Sequence, residues 1–566
     1  MEQLPTDARA AMDWPWERFA PLYAELEARP LSAENIAAFL EDWTRLSKLA
    51  NEVQRRLRVA TTRDTADQEA ERRYFSFLEQ IFPQVEQAEQ NLTQKVLASG
   101  VEPPDFAVPL KKMRADAALF REENLALAVE EQQLAAQYHK IIGGQTVEWQ
   151  GKSHTLPQLQ VAYQERDRGL REQAWHGEMD RQLADRDAIN EVWAKLLGVR
   201  RRQAANAGFG DYRAYRWQLL HRFDYTPEDC AQFRQAIEDV VVPAAERIYE
   251  RRRLKLGLDA LRPWDLQVDP DGLPPLRPFA TLDELIGKSA AVFRQVDPQL
   301  GAYFQTMVDE DLLDLESRPN KAQGGYCTAF LTAQRPFIFM HAVGLPDNLR
   351  TLLHEAGHAF HVFEMAPLPY MQQYSIGSEI AEVASMSMEL LSGPYLVESG
   401  LYDARDAARD RLKHLEKIVL FWPYMAVVDG FQHWVYENPD LAADPDACDA
   451  EWASLWRRFM RGVDWDGLEL ELKTGWHRKQ HIHTYPFYYI EYGLAQLGAL
   501  QVWANARSDQ AGAVAAYRRA LALGGTRALP ELFEAAGARL AFDAATLQQI
   551  IDLIEEASAE FAAAAA

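Results

Sequence analysis

The sequence predicts a mainly α-helical fold, and two observations support this. Apolar residues recur at spacings of three and four among Glu, Arg, Gln and Ala, residues that favour helices. Only two stretches, 143–157 and 319–345, have a strand-like pattern. With 566 residues, 48% of them hydrophobic, the chain can bury a large core. The segments with the helical pattern are 33–60, 65–98, 110–141, 158 to about 255, and most of the chain from Pro346 onward.

The first strand-like stretch, 143–157, predicts a small hairpin between helices. Val147 and Trp149 alternate with polar residues, and Gly151-Lys152 supplies a turn. In the second stretch, two runs read as strands, Tyr326 to Leu331 and Phe337 to His341.

A Pro- and Asp-rich stretch, 262–279, reads as a loop and a candidate boundary between lobes. We divide the chain into an N-terminal helical region, 1–195, and a C-terminal region, 196–566.

Charge and cysteine content narrow the classes of function. The 60 basic and 84 acidic residues give a net charge of −24, which argues against nucleic acid as a partner. The three cysteines lie far apart and form no disulfide framework, which is typical of a reducing compartment. No secretory signal and no stretch long enough to cross a membrane is visible. We therefore expect a cytoplasmic protein with no membrane partner.

The motif that carries most information is His354-Glu355-Ala356-Gly357-His358, an HExxH pattern. Residues four apart share one face of a helix, so both imidazoles can reach one metal ion. The surroundings favour a helix near 347–365, since Pro346 starts it, Pro367 ends it and a stripe of apolar residues follows one face. A chance match on an amphipathic helix is the alternative. In the functional interpretation Glu355 activates water as a general base.

A catalytic zinc ion needs a third protein ligand. His361 lies on the same helix face, but seven residues rise about 10.5 Å, so we expect it to lie behind the ligands or to be simply buried. The nearly apolar segment 375–391 carries Glu379, Glu382 and Glu389 on one face. Carboxylates there are costly unless paired or bound to metal. We take Glu382 as the third ligand and Glu379 as an acceptor for a ligand imidazole.

HEAGHAFH followed by SEIAEVASMSMELL resembles the thimet oligopeptidase and oligoendopeptidase F family of zinc peptidases. In that family a glutamate some two dozen residues after the HExxH motif completes the zinc site, and Glu382 stands 24 positions after His358. The segments GGYCTAF and RPFIFMH are similar to paired strands of the family. The resemblance implies two helical lobes around a deep channel, a small β element beside the catalytic helix, one zinc ion per chain, and short peptides cut internally.

The segment HIHTYPFYYIEYGLAQ, 481–496, gathers histidines and tyrosines. The family resemblance implies that one histidine and several tyrosines here donate hydrogen bonds to the scissile carbonyl oxygen. By position these roles fall to His483, Tyr488 and Tyr492, with His481 as the alternative to His483. The chain lacks the Gly-Gly run that the thimet branch has in this loop.

An extended peptide could add to the strand around Phe337–His341 by backbone hydrogen bonds. We therefore expect Gly325, Tyr326, Phe337 and Phe339 to bind substrate. The sequence does not indicate an oligomeric state.

Two other functions remain open. A zinc carboxypeptidase would share the motif but needs a basic residue for the terminal carboxylate of its substrate, and Arg335 is one candidate. A peptide-binding protein without activity is the second, although Glu355 and all three proposed ligands are present. A purely structural zinc site conflicts with the ligand types, because such sites are rich in cysteine.

Overall fold

The computed structural model describes residues 4–322 and 324–566. These residues form a largely helical fold with five short strands, which confirms the predicted class. The first helices are α1 (Trp16–Ala28), α2 (Ile36–Arg63), α3 (Gln68–Gln80), α4 (Phe82–Ser99), α5 (Ala107–Leu119) and α6 (Glu123–Gly143).

Two of the predicted helical runs are divided in the structure. The run 65–98 forms α3 and α4, and the run 110–141 forms α5 and α6. The first division has a clear cause, because Pro83 lacks the N–H that would continue α3 into α4.

The predicted hairpin is confirmed. Strands β1 (Thr146–Trp149) and β2 (Lys152–Thr155) pair antiparallel. Gln150 and Gly151 form the turn with φ of 49° and 76°, as a two-residue hairpin turn requires.

Further helices lead to the sheet. They are α7 (Leu156–Leu159), α8 (Arg168–Leu183), α9 (Arg186–Asn206), α10 (Tyr212–Leu219), α11 (Pro227–Ala236), α12 (Val242–Leu256), α13 (Leu282–Val296) and α14 (Pro298–Asp309). The stretch 262–279 is a loop with one short turn of helix, as predicted. The boundary predicted between 195 and 196 falls inside α9, whereas domain boundaries usually lie in exposed linkers. The division into two regions stays a prediction.

The three-stranded sheet differs from the prediction in its order. It contains β3 (Leu313–Glu316), β4 (Tyr326–Phe330) and β5 (Arg335–Ala342). Strand β5 lies in the centre, parallel to β3 and antiparallel to β4. Because both of its edges are already paired, the strand around Phe337–His341 cannot accept a peptide, and that prediction is wrong.

Residues 346–566 are all described, and they form helices joined by loops, without a strand. The helices are α15 (Pro346–Met365), α16 (Ser378–Leu391), α17 (Ala404–Glu437), α18 (Pro445–Phe459), α19 (Glu469–Lys473), α20 (Gln480–Thr484), α21 (Tyr489–Ser508), α22 (Gln510–Ala522), α23 (Leu529–Ala535) and α24 (Ala544–Ala565). Among the residues described, no helix is long and apolar enough to cross a membrane.

Helix α16 packs against both α15 and α21, and two glycines permit the close approach. A Cβ atom at Gly357 of α15 would lie 2.5 Å from the carbonyl oxygen of Ala384 in α16. A Cβ atom at Gly498 of α21 would lie 2.9 Å from a methyl group of Val383. The absence of side chains at these two positions brings three helices together around the motif.

Candidate metal centre

Helix α15 presents the HExxH motif. Its start is fixed by Asn348, whose side-chain oxygen accepts hydrogen bonds from the backbone N–H groups of Val343 and Leu345. Apolar residues along the buried face pack against the sheet and α16, so that His354 and His358 project from the remaining face. The residues of the buried face include Leu349, Leu352, Leu353, Ala356, Phe360 and Phe363.

His354, His358 and Glu382 come together in a cluster whose ligand atoms all lie within 4.8 Å of one another. The Nε2 atom of His354 is 3.3 Å from Oε2 of Glu382, and that of His358 is 3.8 Å from the same oxygen. Ligands bonded at about 2.0–2.1 Å in a tetrahedron stand about 3.4 Å apart. The three side chains therefore fit one zinc ion after small rotations.

Three further contacts orient the cluster. The Nδ1–H of His354 donates to Oε1 of Glu389 over 2.8 Å, which turns the other ring nitrogen toward Glu382. The second oxygen of Glu389 lies 3.1 Å from Nε2 of His414 in α17. The hydroxyl of Ser385 donates to Oε2 of Glu382 over 3.0 Å.

Glu379, predicted to accept from a ligand imidazole, instead accepts a hydrogen bond of 2.7 Å from the hydroxyl of Tyr225. Glu389 takes the predicted role. Glu389 lies about two turns after Glu382 on the same helix. It meets Nδ1 of the His354 ring, whereas Glu382 lies against Nε2.

The protonation states in this cluster differ between neighbours. Burial alone would lower the pKa of His354, but its contacts with Glu382 and Glu389 outweigh burial and hold it well above the usual value. Burial lowers the pKa of His358 to about 4, so its ring is neutral. Burial also raises the pKa of Glu355 to about 7, and the nearby charge of Glu382 adds to that effect. A carboxyl group with a pKa near neutrality suits proton transfer.

Glu355 lies against the edge of the sheet. It is buried, and its carboxylate accepts a hydrogen bond from the backbone of Cys327 in β4. This contact joins the outer strand of the sheet to the proposed general base.

Tyr488 reaches the cluster from the start of α21, with its hydroxyl 3.5 Å from Oε1 of Glu382. The ring of Tyr492 lies 5.2 Å from that of Tyr488. The ring of His481 stacks on Tyr488 at 6.0 Å and meets Tyr492 edge-on at 6.0 Å. These three side chains form one wall beside the cluster.

His483 lies elsewhere, which corrects the choice between the two histidines. Its ring is fully buried among Tyr138, Trp193 and Trp476, at centroid distances of 4.3, 5.4 and 5.8 Å. Neither of its ring nitrogens makes a hydrogen bond within the described part of the chain. Burial holds the pKa of His483 well below its usual value. His483 belongs to the aromatic core, and His481 takes its place in the wall.

A buried arginine fixes the segment that carries this wall. Arg222 donates to Oε1 of Glu491 over 2.6 Å and also to the carbonyl oxygen of Phe487. The N–H of Phe487 donates to the side chain of Gln432 over 2.6 Å. Phe487 adopts a φ of 66°, a strained value for a residue with a side chain, and both contacts hold it there.

His361 is buried on α15, and neither of its ring nitrogens makes a hydrogen bond in the residues described. Burial lowers its pKa to about 3. The structure thus agrees with the second of the two expectations, a histidine that is simply buried.

The predicted substrate residues separate into two groups. Phe337 and Phe339 of the central strand are buried in the core and cannot contact a peptide, which corrects their assignment. Gly325 is exposed, and Tyr326 begins the outer strand β4, with its hydroxyl 2.6 Å from that of Thr62.

The comparison with protein families agrees with this arrangement. The model of peptidase family M3 matches residues 161–551, which is more than half of the chain. The chain belongs to peptidase family M3. This confirms the resemblance seen in the sequence. It also confirms the predicted enzyme class, because the family is a family of peptidases.

Two solved structures agree in fold with nearly the whole chain. The structure of PZ peptidase A with an inhibitor superposes with a TM-score of 0.86 at 27% identity, covering 96% of this chain and 97% of the other. A protein assigned as oligoendopeptidase F gives 0.86 at 28% identity, covering 96% of each chain. Group B oligopeptidase PepB of Streptococcus agalactiae is 25% identical over 243 residues. That match spans 42% of this chain and 38% of PepB.

Sequence reasoning missed several residues of this M3 site. Glu389 was seen as part of the acidic face, but its contact with His354 was not foreseen. His414 and Arg222 lie far from the motif in sequence and carried no signal of their own. The signal that could have singled out Glu389 was the presence of a carboxylate in an otherwise apolar helix.

Proposed function

We propose that this chain is a zinc-dependent endopeptidase that cuts internal bonds of short oligopeptides. The observation that carries the proposal is the cluster of His354, His358 and Glu382, with the buried Glu355 beside it. Two imidazoles and one carboxylate, with a fourth position left for water, are a donor set typical of catalytic zinc.

The chemistry divides between the metal and the protein. When bound, zinc supplies a Lewis acid that lowers the pKa of water at its open position and polarises the scissile carbonyl. Glu355 accepts the proton of the attacking water and then donates it to the leaving amine. The raised pKa of Glu355 supports both steps, because the group can hold and release a proton near neutral pH.

Negative charge grows on the carbonyl oxygen during the attack. The hydroxyl groups of Tyr488 and Tyr492 and the ring of His481 are donors beside the cluster, and we assign them to that oxygen. Removing one such donor typically lowers kcat about 10²–10³-fold.

The outer strand β4 is the better candidate for peptide binding, now that β5 is known to be central. A peptide aligned along Gly325 and Tyr326 would pass the Cys327 backbone, which contacts Glu355. Pairing through backbone hydrogen bonds depends little on the side chains of the peptide, so we expect low specificity for the substrate sequence. The oligopeptidase name of PepB supports short peptides as substrates. A cytoplasmic location remains part of the proposal.

The carboxypeptidase alternative loses its candidate anchor. The guanidinium of Arg335 makes two hydrogen bonds to the carboxylate of Glu310, at 2.8 and 2.9 Å. A guanidinium already paired in this way is not free for the terminal carboxylate of a peptide.

The test is cleavage of a mixed library of short peptides, followed by mass spectrometry. Zinc-loaded protein is expected to make internal cuts that disappear with a chelator. Glu355→Gln should keep its zinc, measured by elemental analysis, and lose cleavage by at least about 10²-fold because it has no proton acceptor. Glu555→Gln, an exposed residue paired with Arg247, is the matched control and should cut like the unchanged protein.

Two results would contradict the proposal. Zinc-loaded protein that binds peptides but cuts none of a broad library would favour the peptide-binding alternative. Cuts confined to the last residue of each peptide would favour a carboxypeptidase.

A further inference from the structure

Two cations, Arg478 and Lys479, stand just before α20, and neither has a carboxylate partner among the residues that the structure describes. The ammonium of Lys479 makes no ion pair and no hydrogen bond within residues 4–322 and 324–566, although the chain has 84 acidic residues. Arg478 contacts the sulfur of Met179 and the backbone oxygen of Glu471, not a carboxylate. A partly buried positive charge that no carboxylate neutralises is costly, which suggests that an anion arrives from outside.

The ammonium of Lys479 lies over an aromatic wall. It is 3.9 Å from the ring centre of Tyr489 and 5.3 Å from that of Tyr424. The residue remains partly exposed, so a ligand can reach it. Burial lowers its pKa to about 8, and the group therefore stays mostly charged at neutral pH.

The two tyrosines add further donors. The hydroxyls of Tyr424 and Tyr489 make no hydrogen bond to any residue that the structure describes. An ammonium offers donors only, and a phenol can donate its proton. Donors of this kind around a positive charge suit a carboxylate, because charge-assisted hydrogen bonds are the stronger ones.

This group lies close to the proposed centre of cleavage. The ring of Tyr489 is 5.0 Å from that of His481, which is 6.0 Å from Tyr488, and Tyr488 contacts Glu382. The ammonium is thus within about 15 Å of Tyr488, a distance that an extended peptide spans in about four residues.

We propose that Lys479, with Tyr424 and Tyr489, binds a carboxylate of the peptide substrate within about four residues of the bond that is cut. The inference rests on the proposed function and adds a determinant of specificity to it. The carboxylate has two sources, the C-terminus of the peptide or an Asp or Glu side chain, and both present the same group.

The test compares matched peptides that differ only in one carboxylate. One pair has a free or an amidated C-terminus and no acidic side chain; the other is amidated and carries Glu or Gln at one position. For at least one pair the carboxylate form should have a kcat/KM about 10–100-fold higher, mainly through KM. The pair that responds identifies the source.

Three variants assign that preference to the side chain. Lys479→Met should abolish it while leaving the amidated, uncharged peptides nearly unchanged, and Lys479→Arg should restore most of it. Lys255→Met, an exposed lysine paired with Asp271, is the matched control and should keep the full preference. The preference should also fall as the pH rises above about 8, because the ammonium then loses its charge.

Equal cleavage of all four peptides by the unchanged protein would overturn the proposal. An equal loss for all four in Lys479→Met would do the same, since it indicates a structural role. Peptide binding to zinc-loaded Glu355→Gln, measured by fluorescence anisotropy, separates this inference from the proposed function. If no peptide is cut, the endopeptidase proposal fails, and the binding difference between matched peptides still decides the role of Lys479.

Discussion

The metal-ligand cluster and the His481–Tyr492 wall lie side by side but are built differently. His354, His358 and Glu382 stand on two uninterrupted helices, so their spacing follows from helix geometry. The wall crosses the break between α20 and α21, where Phe487 has a positive φ. Its register depends on contacts from distant parts of the chain, those of Arg222 and Gln432. In a regular helix, the local sequence determines where a side chain lies. In an irregular segment, the position of a side chain depends on contacts with distant residues.

The largest effect is expected at the ligands themselves. In Glu382→Gln, an amide replaces the carboxylate ligand, so the bound zinc should be lost and with it about a thousandfold or more of the activity. Zinc content by elemental analysis and peptide cleavage check this together. A variant that keeps one zinc per chain and near-normal cleavage would mean that another residue completes the site.

The second prediction separates the two histidines of the wall. His481→Phe should lower kcat about 10²–10³-fold with zinc content unchanged, because a donor to the carbonyl oxygen is removed. His483→Phe should leave kcat within a few-fold, and its melting temperature should hold or rise, because the ring nitrogens have no hydrogen bond to lose among residues 4–322 and 324–566. Kinetics and thermal unfolding of both variants decide the matter. The reverse ranking would restore His483 to the site.

The smallest of these effects concerns the support of a ligand. Glu389→Gln should weaken zinc binding about 10–100-fold, because the carboxylate that orients His354 becomes a neutral amide. Competition with a chromophoric chelator measures this affinity. As a control, Glu364→Gln on α15 alters an ion pair with Arg518 and should leave the affinity unchanged.

The pH dependence of zinc affinity sharpens the same point. The carboxylates raise the pKa of His354, so its ring holds a proton that must leave before a metal binds. Affinity should therefore fall as the pH falls, and the fall should begin at a higher pH than for a free imidazole. In Glu389→Gln the pKa of His354 is less raised, and the fall should begin at a lower pH.

The sequence was sufficient for the parts of the molecule that depend on local pattern. The helical class, the first hairpin, the outer strand and the spacing of His354 and His358 all follow from periodicity and turn residues. The order of the second sheet did not follow, because strand β3 is short and joins β5 by a parallel connection. Without β3, the central strand looked like an edge, and this led to the wrong assignment of Phe337 and Phe339.

The remaining misses share a physical cause. Glu379 and Glu389 lie on the same helix with similar neighbours in sequence, and only the packing of Tyr225 and His354 distinguishes them. His481 and His483 are two residues apart, and only the aromatic core around His483 separates their roles. Such differences come from tertiary contacts, which no local pattern records.

The close contact at Gly357 also affects how the motif can be used to search for related sites. Even a methyl group at that position would clash with the backbone of α16. In this fold the second variable position of HExxH is therefore restricted to glycine. A search pattern of His-Glu-x-Gly-His would select chains whose third ligand comes from a helix packed this tightly. In a chain with a larger residue at this position, the two helices would have to lie farther apart. The third ligand would then need a longer side chain or would have to come from a different element.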